Sequence, residues 1–515
     1  MNLEVEGSFI PEICHDLGFY KNATLISFCS TPIHIATSLE LISNNRHINW
    51  NYVYWGNQTN WKIGMNVEYR KYGTGFPDEL QNAFCKLGID SCQRTTNFVF
   101  DSNFVRRAWD DLYPLLKRCT SIDDLKMLDA KIPGAGAAVA NAYTNIFRDR
   151  YTSIRWNLRI LKKLLYSYLE VYFATCHLIE SRPNDIFLIY NGRYLHEKAV
   201  RDACQRSGRK VLMHESTRDK YFLRQEGFHN RLANQRLWSR FWNDSTLSTK
   251  EKEKVANEYF EGLRSSVSPF FTDKKLVTQH ATQVPFVVFF TSNDDEMVGF
   301  WDIWRENLGN QFVVIDKLRA LIAKQDNLRL VIRIHPNTKN KPWQVRKKWS
   351  KLESSDGVEI LYAEDKISSI DLVRQSIGVL TFGSTIGLES GFLGKRVAVL
   401  CDASYDTFSH VTKCNDWDCV DFWLKSLKEK NTLSNEEKSS VFKRALFVSK
   451  AGVPFVNHEI SLQHWNSWSP SINSGLVPSE RNLLFLFYKV WHKLILQLIR
   501  ISHIANLNFN YKSTS

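Results

Sequence analysis

The chain has 515 residues, of which 43% are hydrophobic and 23% charged, and a formal net charge of +13. That length accommodates two or three domains with full cores, and the composition is that of a globular protein. A basic balance suits anionic partners such as nucleic acid, an anionic membrane surface or phosphorylated substrates, but no zinc-finger spacing, RRM signature or long Lys/Arg block supports nucleic acid.

In chain order, residues 1–20 read as an irregular lead-in and Ala23 to Phe28 as the first strand. Ser30-Thr-Pro-Ile-His34 then turns into a helix, with Pro32 suited to its first turn. His34 lies at this strand-to-helix corner, where a neutral imidazole can act as a base or simply fill a structural role. Trp50 to Trp55 predicts the second strand, 56–80 a polar loop, and Phe98 to Phe100 another short strand. Val105 to Lys117 and Ile122 to Leu128 predict helices, and Pro133 to Val139 a glycine-rich turn that matches no phosphate-loop pattern. Tyr151 to Ser181 reads as a long amphipathic helix with Arg155, Arg159, Lys162 and Lys163 crowded at one end, a solvated face or a membrane or substrate patch.

Asp185 to Tyr190 is a strand ending at Asn191-Gly-Arg193, and the planar fork of Arg193 suits an anionic acceptor or a donor carboxylate. A helix over 196–207 and a strand over 210–213 follow, ending at His214-Glu215, a second acid–base candidate. Alternation of strand and helix implies a doubly wound N-terminal domain. Residues 216–282 mix a charged helix (249–264) with linker, which places the domain boundary there. Pro285 to Phe290 opens a second sheet and ends at Thr291-Ser-Asn-Asp-Asp-Glu296, a solvated turn or a group of ligands for hydroxyls or a metal. Gln311 to Lys324 is helical.

Two apolar runs then end in polar residues: Leu328 to Ile334 at His335-Pro-Asn337, and Ile377 to Phe382 at Gly383-Ser384-Thr385. Ligands of parallel sheets bind outside the carboxyl ends of the strands, so His335 and Ser384-Thr385 stand where a ligand is expected. A short helix from Ile386 to Leu393 follows, with Ser and Thr as N-cap residues and free N–H groups for an anion. Gly383 permits close backbone approach. His335 suits a departing phosphate, Arg333 and Lys339 add positive charge, and Glu389 suits sugar hydroxyls. Leu361 to Glu364 is a further strand end where a nucleotide base fits, Ser368 to Gln375 is a helix, and Arg396 to Leu400 is a third strand.

Arg333-Ile-His-Pro-Asn337, Phe382-Gly-Ser-Thr-Ile-Gly-Leu-Glu389, Gly394-Lys-Arg-Val397 and Tyr405 together resemble the C-terminal half of bacterial capsule-polysaccharide biosynthesis proteins, which include the Kdo transferases of capsule export. The resemblance covers residues 283–410 well, and the N-terminal half only through Tyr190 to Arg193 and His214-Glu215. It implies an α/β chain with two Rossmann-like domains facing a cleft, the GT-B arrangement, with a nucleotide-sugar donor. The teichoic-acid glycerophosphotransferases have a similar fold and also use a His-Pro element.

The expectation is therefore a glycosyltransferase of surface polysaccharide, capsule or lipopolysaccharide, with an acceptor domain over 1–270, a nucleotide-sugar domain over 283–470 and a basic tail over 471–515. His335, His34 and Glu215 are the catalytic candidates. Arg333, Gly383, Ser384, Thr385 and Glu389 would hold the donor, and Arg193 the acceptor. No cofactor or metal is expected; the donor is a substrate, CMP-linked if the resemblance reaches the Kdo transferases. The alternatives are a polyol-phosphate (CDP-glycerol-type) transferase, a sugar-nucleotide epimerase or a non-catalytic assembly protein.

Ten scattered cysteines give no disulfide framework and read as reduced thiols; Cys414 and Cys419 with His410 are poorly spaced for zinc. The start of the sequence lacks the features of a signal peptide, and no apolar run is long and uncharged enough to span a bilayer. A cytoplasmic protein is expected, with a tail over Leu483 to Arg500 that either packs on the domains or lies on the inner face of the cytoplasmic membrane. High aromatic content, with sixteen Trp, accompanies carbohydrate handling.

Overall fold

Two strand-and-helix series, each wound in both directions from its first strand, make up the chain. The computed structural model describes residues 17–28, 32–55, 93–95, 99–151, 153–217, 220–225, 227–267, 284–299, 303–427, 433–455, 458–460 and 468–470. The expected loop at 56–80, most of the linker at 265–283 and the tail helix at 483–500 lie outside the described residues.

The chain divides into one unit comprising Met1–Phe228 with Gly452–Ser515, and a second comprising His229–Ala451. The break falls within the expected boundary region of 216–282, but residues 229–267 group with the second unit, so the 1–270 and 283–470 division is corrected. The reason is packing. Two helices in that stretch lie against the C-terminal helix Asn435–Lys450 of the second unit: Phe241 meets Phe447 edge-on at 5.6 Å, and Phe260 joins Val441 and Ala445 in one cluster.

The first unit contains β1 (Asn22–Ser27), α1 (Pro32–Asn44), β2 (Asn49–Tyr54), β3 (Gln93–Thr95), α2 (Ser102–Arg118), α3 (Ala135–Phe147), α4 (Leu158–Ser181), β4 (Ile186–Tyr190), α5 (Leu195–Arg206), β5 (Val211–Ser216) and β6 (Lys220–Arg224). Its sheet runs β3-β2-β1-β4-β5-β6 and is extended by Val453–Pro454 beside β6. The strands from β3 to β5 are parallel, and β6 turns back antiparallel on β5. Leu25, Leu188 and Leu212 are fully buried at its centre. Parallel strands covered on both faces need such continuous apolar runs, which is why β1 and β4 are legible from sequence.

Three expectations change here. A short strand lies at 93–95, and Val99 and Phe100, expected in one, are not in a strand. The glycine-rich stretch after Pro133 is a turn only at Gly134 (φ +90°), and α3 begins at the next residue with Gly136 inside it. The strand over 210–213 continues to Ser216, so His214 and Glu215 lie within β5. Pairing with β6, a strand the sequence reading missed, prolongs it: His214 faces Leu223 and Glu215 faces Phe222.

The second unit contains α6 (Arg231–Asp244), α7 (Thr249–Val267), β7 (Phe286–Phe290), α8 (Asp294–Val298), α9 (Gln311–Ile322), β8 (Arg329–Arg333), α10 (Trp343–Ser350), β9 (Val358–Leu361), α11 (Ser369–Gln375), β10 (Gly378–Thr381), α12 (Ile386–Phe392), β11 (Val397–Val399), β12 (Val411–Lys413), α13 (Trp417–Ser426) and α14 (Asn435–Lys450). Its sheet is wholly parallel in the order β9-β8-β7-β10-β11-β12. Each unit thus repeats the 3-2-1-4-5-6 order of a Rossmann-like sheet. Ser434 and Glu437 close a capping box on α14, one of the locally determined helix starts. Among the described residues no helix is long and apolar enough to cross a membrane.

Behind the first sheet, α5 carries Glu197 in its first turn, 3% exposed. Burial pushes its carboxyl up to about 7 from the ordinary 4.5. A raised acid pKa means the folded state holds the proton more tightly. Its contribution is full below pH 4.5 and is lost as pH rises through 7, amounting to about 3 kcal/mol. Between pH 5 and pH 8 the wild-type thermal midpoint should therefore fall relative to Glu197→Gln, the variant flattening that part of the profile. Parallel profiles would show that Glu197 does not carry a buried proton.

Candidate functional site

In the second unit the chain starts at β7, steps outward to β8 and β9, and then returns to β10 on the other side. Neighbouring loops leave the carboxyl edge in opposite directions at β7 and β10, which opens a crevice there. Gly383, two residues after β10, has φ +76°, and a Cβ on it would lie 3.0 Å from Cys401 Sγ and 3.3 Å from the Asp402 carbonyl. Only glycine fits a turn that is both left-handed and closed in by the end of β11.

The next residues are fixed through their backbones. The Ser384 N–H donates to Thr381 Oγ1 at 3.0 Å, and the Tyr405 hydroxyl donates to the Ser384 carbonyl. Gly387, the second residue of α12, permits that contact: a Cβ there would fall 2.4 Å from the Tyr405 hydroxyl. Thr385 occupies the N-cap position and is exposed, yet its side chain makes no capping bond. The expected side-chain cap is absent, and the turn is held instead at its Ser384 carbonyl by the Tyr405 hydroxyl. Glu389 is half-buried on the same short helix.

The β7 end is equally ordered. Ser292 Oγ donates to the Phe382 carbonyl at 2.5 Å, while Gln311, fully buried on α9, brackets Ser292 through its N–H (2.6 Å) and its carbonyl (3.0 Å). Gln311 also donates to Asp294 at 2.6 Å. The sequence gives no local signal for this role, because Gln311 reads only as a helix start.

His335 follows β8. Its backbone N–H donates to Thr291 Oγ1 at 2.9 Å, and its Nδ1 accepts the Asn337 N–H at 3.2 Å. An accepting Nδ1 places the proton of a neutral ring on Nε2, so the half-buried imidazole is a donor there. Arg333 differs from expectation. It is 1% exposed and donates to the carbonyls of Tyr362 and, at 3.0 Å, Asp365. Its guanidinium braces the β9 end, and burial draws its pKa below the usual arginine value.

Beside His335, a cleft of about 590 Å³ opens between α10 and the β9 end, lined by Trp343, Arg346, Lys347, Tyr362, Glu364 and Asp365 among others. Trp343 is 55% exposed, with the Lys347 ammonium 4.7 Å from its ring centroid. Aromatic faces, two cations and two carboxylates in one cleft of this size suit a small polar ligand with a flat ring. Further along the edge, Asp402 and Asp406 are buried against Arg231 and Lys413, with Arg231 2.6 Å from Asp406. This neutral cluster, unread in the sequence, holds the loop that carries Tyr405.

In the first unit the reversal lies between β1 and β4. His34 on α1 is 7% exposed, and its ring centroid is 3.7 Å from that of Tyr190 at the β4 end. Asn191 is left-handed (φ +48°), an uncommon conformation outside glycine. Its side chain donates to Glu215 Oε1 at 2.9 Å. Arg193 stacks on Tyr194 at 4.8 Å and donates to its hydroxyl at 2.9 Å.

Burial lowers the His34 pKa well below its usual value, with His214 adding to the shift, and brings His214 to about 3. Burial raises the Glu215 carboxyl, against Arg193, the Asn191 hydrogen bond and Arg224. His34, Arg193 and Glu215 are thus brought to one neighbourhood, with a neutral imidazole and a carboxylate of increased basicity. Asn191 Oδ1 and His214 Nδ1 are buried there with no hydrogen-bond partner among the described residues.

The clamp on α12 is testable. Gly387→Ala should lower the thermal midpoint by several degrees, since overpacking typically costs about 1–3 kcal/mol. An unchanged midpoint would mean that Tyr405 does not pin the helix.

Residues 312–449 match the family model described as capsule polysaccharide biosynthesis protein. No curated protein matches the chain. Among solved structures, the chain is similar to the KpsC beta Kdo 2,4 transferase of Thermosulfurimonas dismutans, at 12% identity over 50% of this chain and 78% of that one, with a TM-score of 0.32. It is also similar to the UDP-GlcNAc 2-epimerase of Methanocaldococcus jannaschii in complex with UDP-GlcNAc and UDP, at 10% identity over 83% of this chain and 99% of that one, with a TM-score of 0.28. The segment that holds His335, the Gly383 turn and Tyr405 thus carries the sequence pattern of the capsule polysaccharide biosynthesis proteins.

Proposed function

We propose that the chain is a glycosyltransferase of bacterial capsule synthesis that takes its sugar from a nucleotide-sugar donor. The observation that carries this reading is the convergence of the His335 and Gly383–Thr385 strand ends beside the crevice at β7 and β10, within the family-matched segment. In this reading the nucleotide lies in the Trp343–Tyr362 cleft, its base against an aromatic ring and its ribose hydroxyls near Glu364 and Asp365. Glu389 is a further hydroxyl ligand. His335 Nε2–H and the Ser384–Thr385 turn face the phosphate and stabilise charge on the leaving group as the glycosidic bond breaks.

In the first unit, Glu215 accepts the proton of the acceptor hydroxyl, His34 is a neutral hydrogen-bond partner, and Arg193 holds an anionic group of the glycan or glycolipid. Protein groups carry the leaving-group charge, so transfer should survive EDTA. The chain works in the cytoplasm at the inner face of the membrane, where a lipid-linked acceptor is presented. Polyol-phosphate transfer from CDP-glycerol and epimerisation of a sugar nucleotide on the same kind of fold are separated from this reading by their products.

A thermal-shift screen against CMP, CDP, UDP, GDP and dTDP tests the site and the donor class together. One nucleotide should raise the midpoint by mass action, and His335→Ala and Ser384→Ala should remove most of that rise. A CMP response would point to a CMP-linked donor. No response to any nucleotide would overturn the donor site. With the donor known, Glu215→Gln should lower kcat by about 10²–10⁴-fold while leaving nucleotide binding intact, the scale expected of a general base. Retention of full kcat would remove Glu215 from the mechanism.

A further inference from the structure

Residues 155–169, the start of α4 and the turn before it, contain four cations, Arg155, Arg159, Lys162 and Lys163, and no Asp or Glu. Arg155, Arg159, Lys162 and Tyr166 recur at intervals of four, three and four, which places them along one side of a helix. Arg155, Arg159 and Tyr166 are exposed and Lys162 half-buried, while Leu161, Leu164 and Leu165 face the core. The stripe therefore lies on the outer side of a helix whose inner side is fully packed.

The neighbouring α2 completes the face. Trp109 stacks on Tyr113 (5.1 Å, 12°) and meets Tyr166 edge-on (5.7 Å, 75°). The Tyr113 ring has two ammonium groups over it, Lys117 and Lys162, each 4.5 Å from the centroid. A hydrogen bond from Lys162 and the charges of both lysines draw the Tyr113 hydroxyl below its ordinary pKa, as expected where positive charge is crowded. Trp156 is 45% exposed with the Arg155 guanidinium 5.9 Å from its ring. Of the exposed acids of α2, Asp111 lies off the line of Trp109, Tyr113 and Lys117, which repeat every fourth residue, while Asp110 lies at its edge, one turn before Tyr113 and two before Lys117, and leaves the face with a net positive charge.

We propose that this face of α2 and α4 is a docking surface for an anionic lipid bilayer. Amphipathic rings such as Trp and Tyr settle at the headgroup level, and each Lys or Arg near an anionic surface adds about 1 kcal/mol. An anionic glycan is a poorer fit. Sugars stack on open ring faces, whereas Tyr113 carries two cations and Trp109 is stacked on it. The inference is independent of the sugar-transfer reading, because it rests on surface residues that take no part in the chemistry.

The test is flotation of the full chain with vesicles of phosphatidylcholine, with and without phosphatidylglycerol. The chain should float only with the anionic vesicles, and less so as salt rises. The triple variant Arg155→Glu, Arg159→Glu, Lys162→Glu should lower vesicle affinity on the order of 100-fold or more, from the charge contributions alone. Trp156→Ala, an exposed single change that keeps the charges and should leave the fold intact, should weaken binding less. A wild-type chain that floats with neither vesicle would overturn the proposal, as would variants that float like wild type with unchanged thermal midpoints. Loss of binding to an anionic oligosaccharide in the triple variant, with flotation unaffected, would assign the face to a glycan instead.

Discussion

The structure depends on the reversal of strand order within each sheet. A parallel strand must leave its sheet at the carboxyl edge and return through a helix, and the hand of that crossover is fixed. When the chain winds outward in one direction and then the other, the two loops at the reversal separate and leave a crevice that no side chain of the sheet fills. In the second unit that gap lies between β7 and β10, and in the first between β1 and β4. Polar residues can be concentrated there without disturbing the apolar strands behind them.

The two crevices are furnished differently, and the difference is electrostatic. In the second unit the groups offered are hydrogen-bond donors and cations: the His335 ring, the turn after Gly383, and Arg346 with Lys347 in the adjoining cleft. In the first, proton acceptors stand beside the Arg193 cation. Burial keeps His34 and His214 neutral and raises Glu215. Charge development on a leaving phosphate calls for the first kind of environment, and removal of a hydroxyl proton for the second.

How far these features were legible depended on whether they were local. Strands β4, β7, β8 and β10 announce themselves as apolar runs, and the strand ends at His335 and Gly383 were marked by the residues that stop those runs. What tertiary pairing decides was hidden. The sequence Lys220–Arg224 carries charges at both ends and becomes a strand only because it lies beside β5, which in turn draws His214 and Glu215 into the sheet. Arg333 alternates correctly for a strand end, but its direction, toward the carbonyls after β9 rather than toward the crevice, follows from a neighbour 29 residues away. The same holds for Gln311 and Ser292, joined across 19 residues.

The glycines of the capsule-type pattern show how a linear motif encodes close approach. Gly383 is required by backbone angle and by Cys401. Gly387, and Gly391 just beyond the pattern, are required by volume alone, since a Cβ at either would lie within 2.5 Å of Tyr405 or His410 respectively. Being four residues apart, they lie on one face of α12, so the helix can settle directly on the β11–β12 loop. Tyr405 reaches through that contact to the Ser384 carbonyl. The tyrosine hydroxyl holds the turn from behind, and no side chain has to enter the crevice to do so. Enlarging either glycine would push the helix off the loop and release the turn from its support, which is why residues with no chemistry of their own belong to the same pattern as His335 and Ser384.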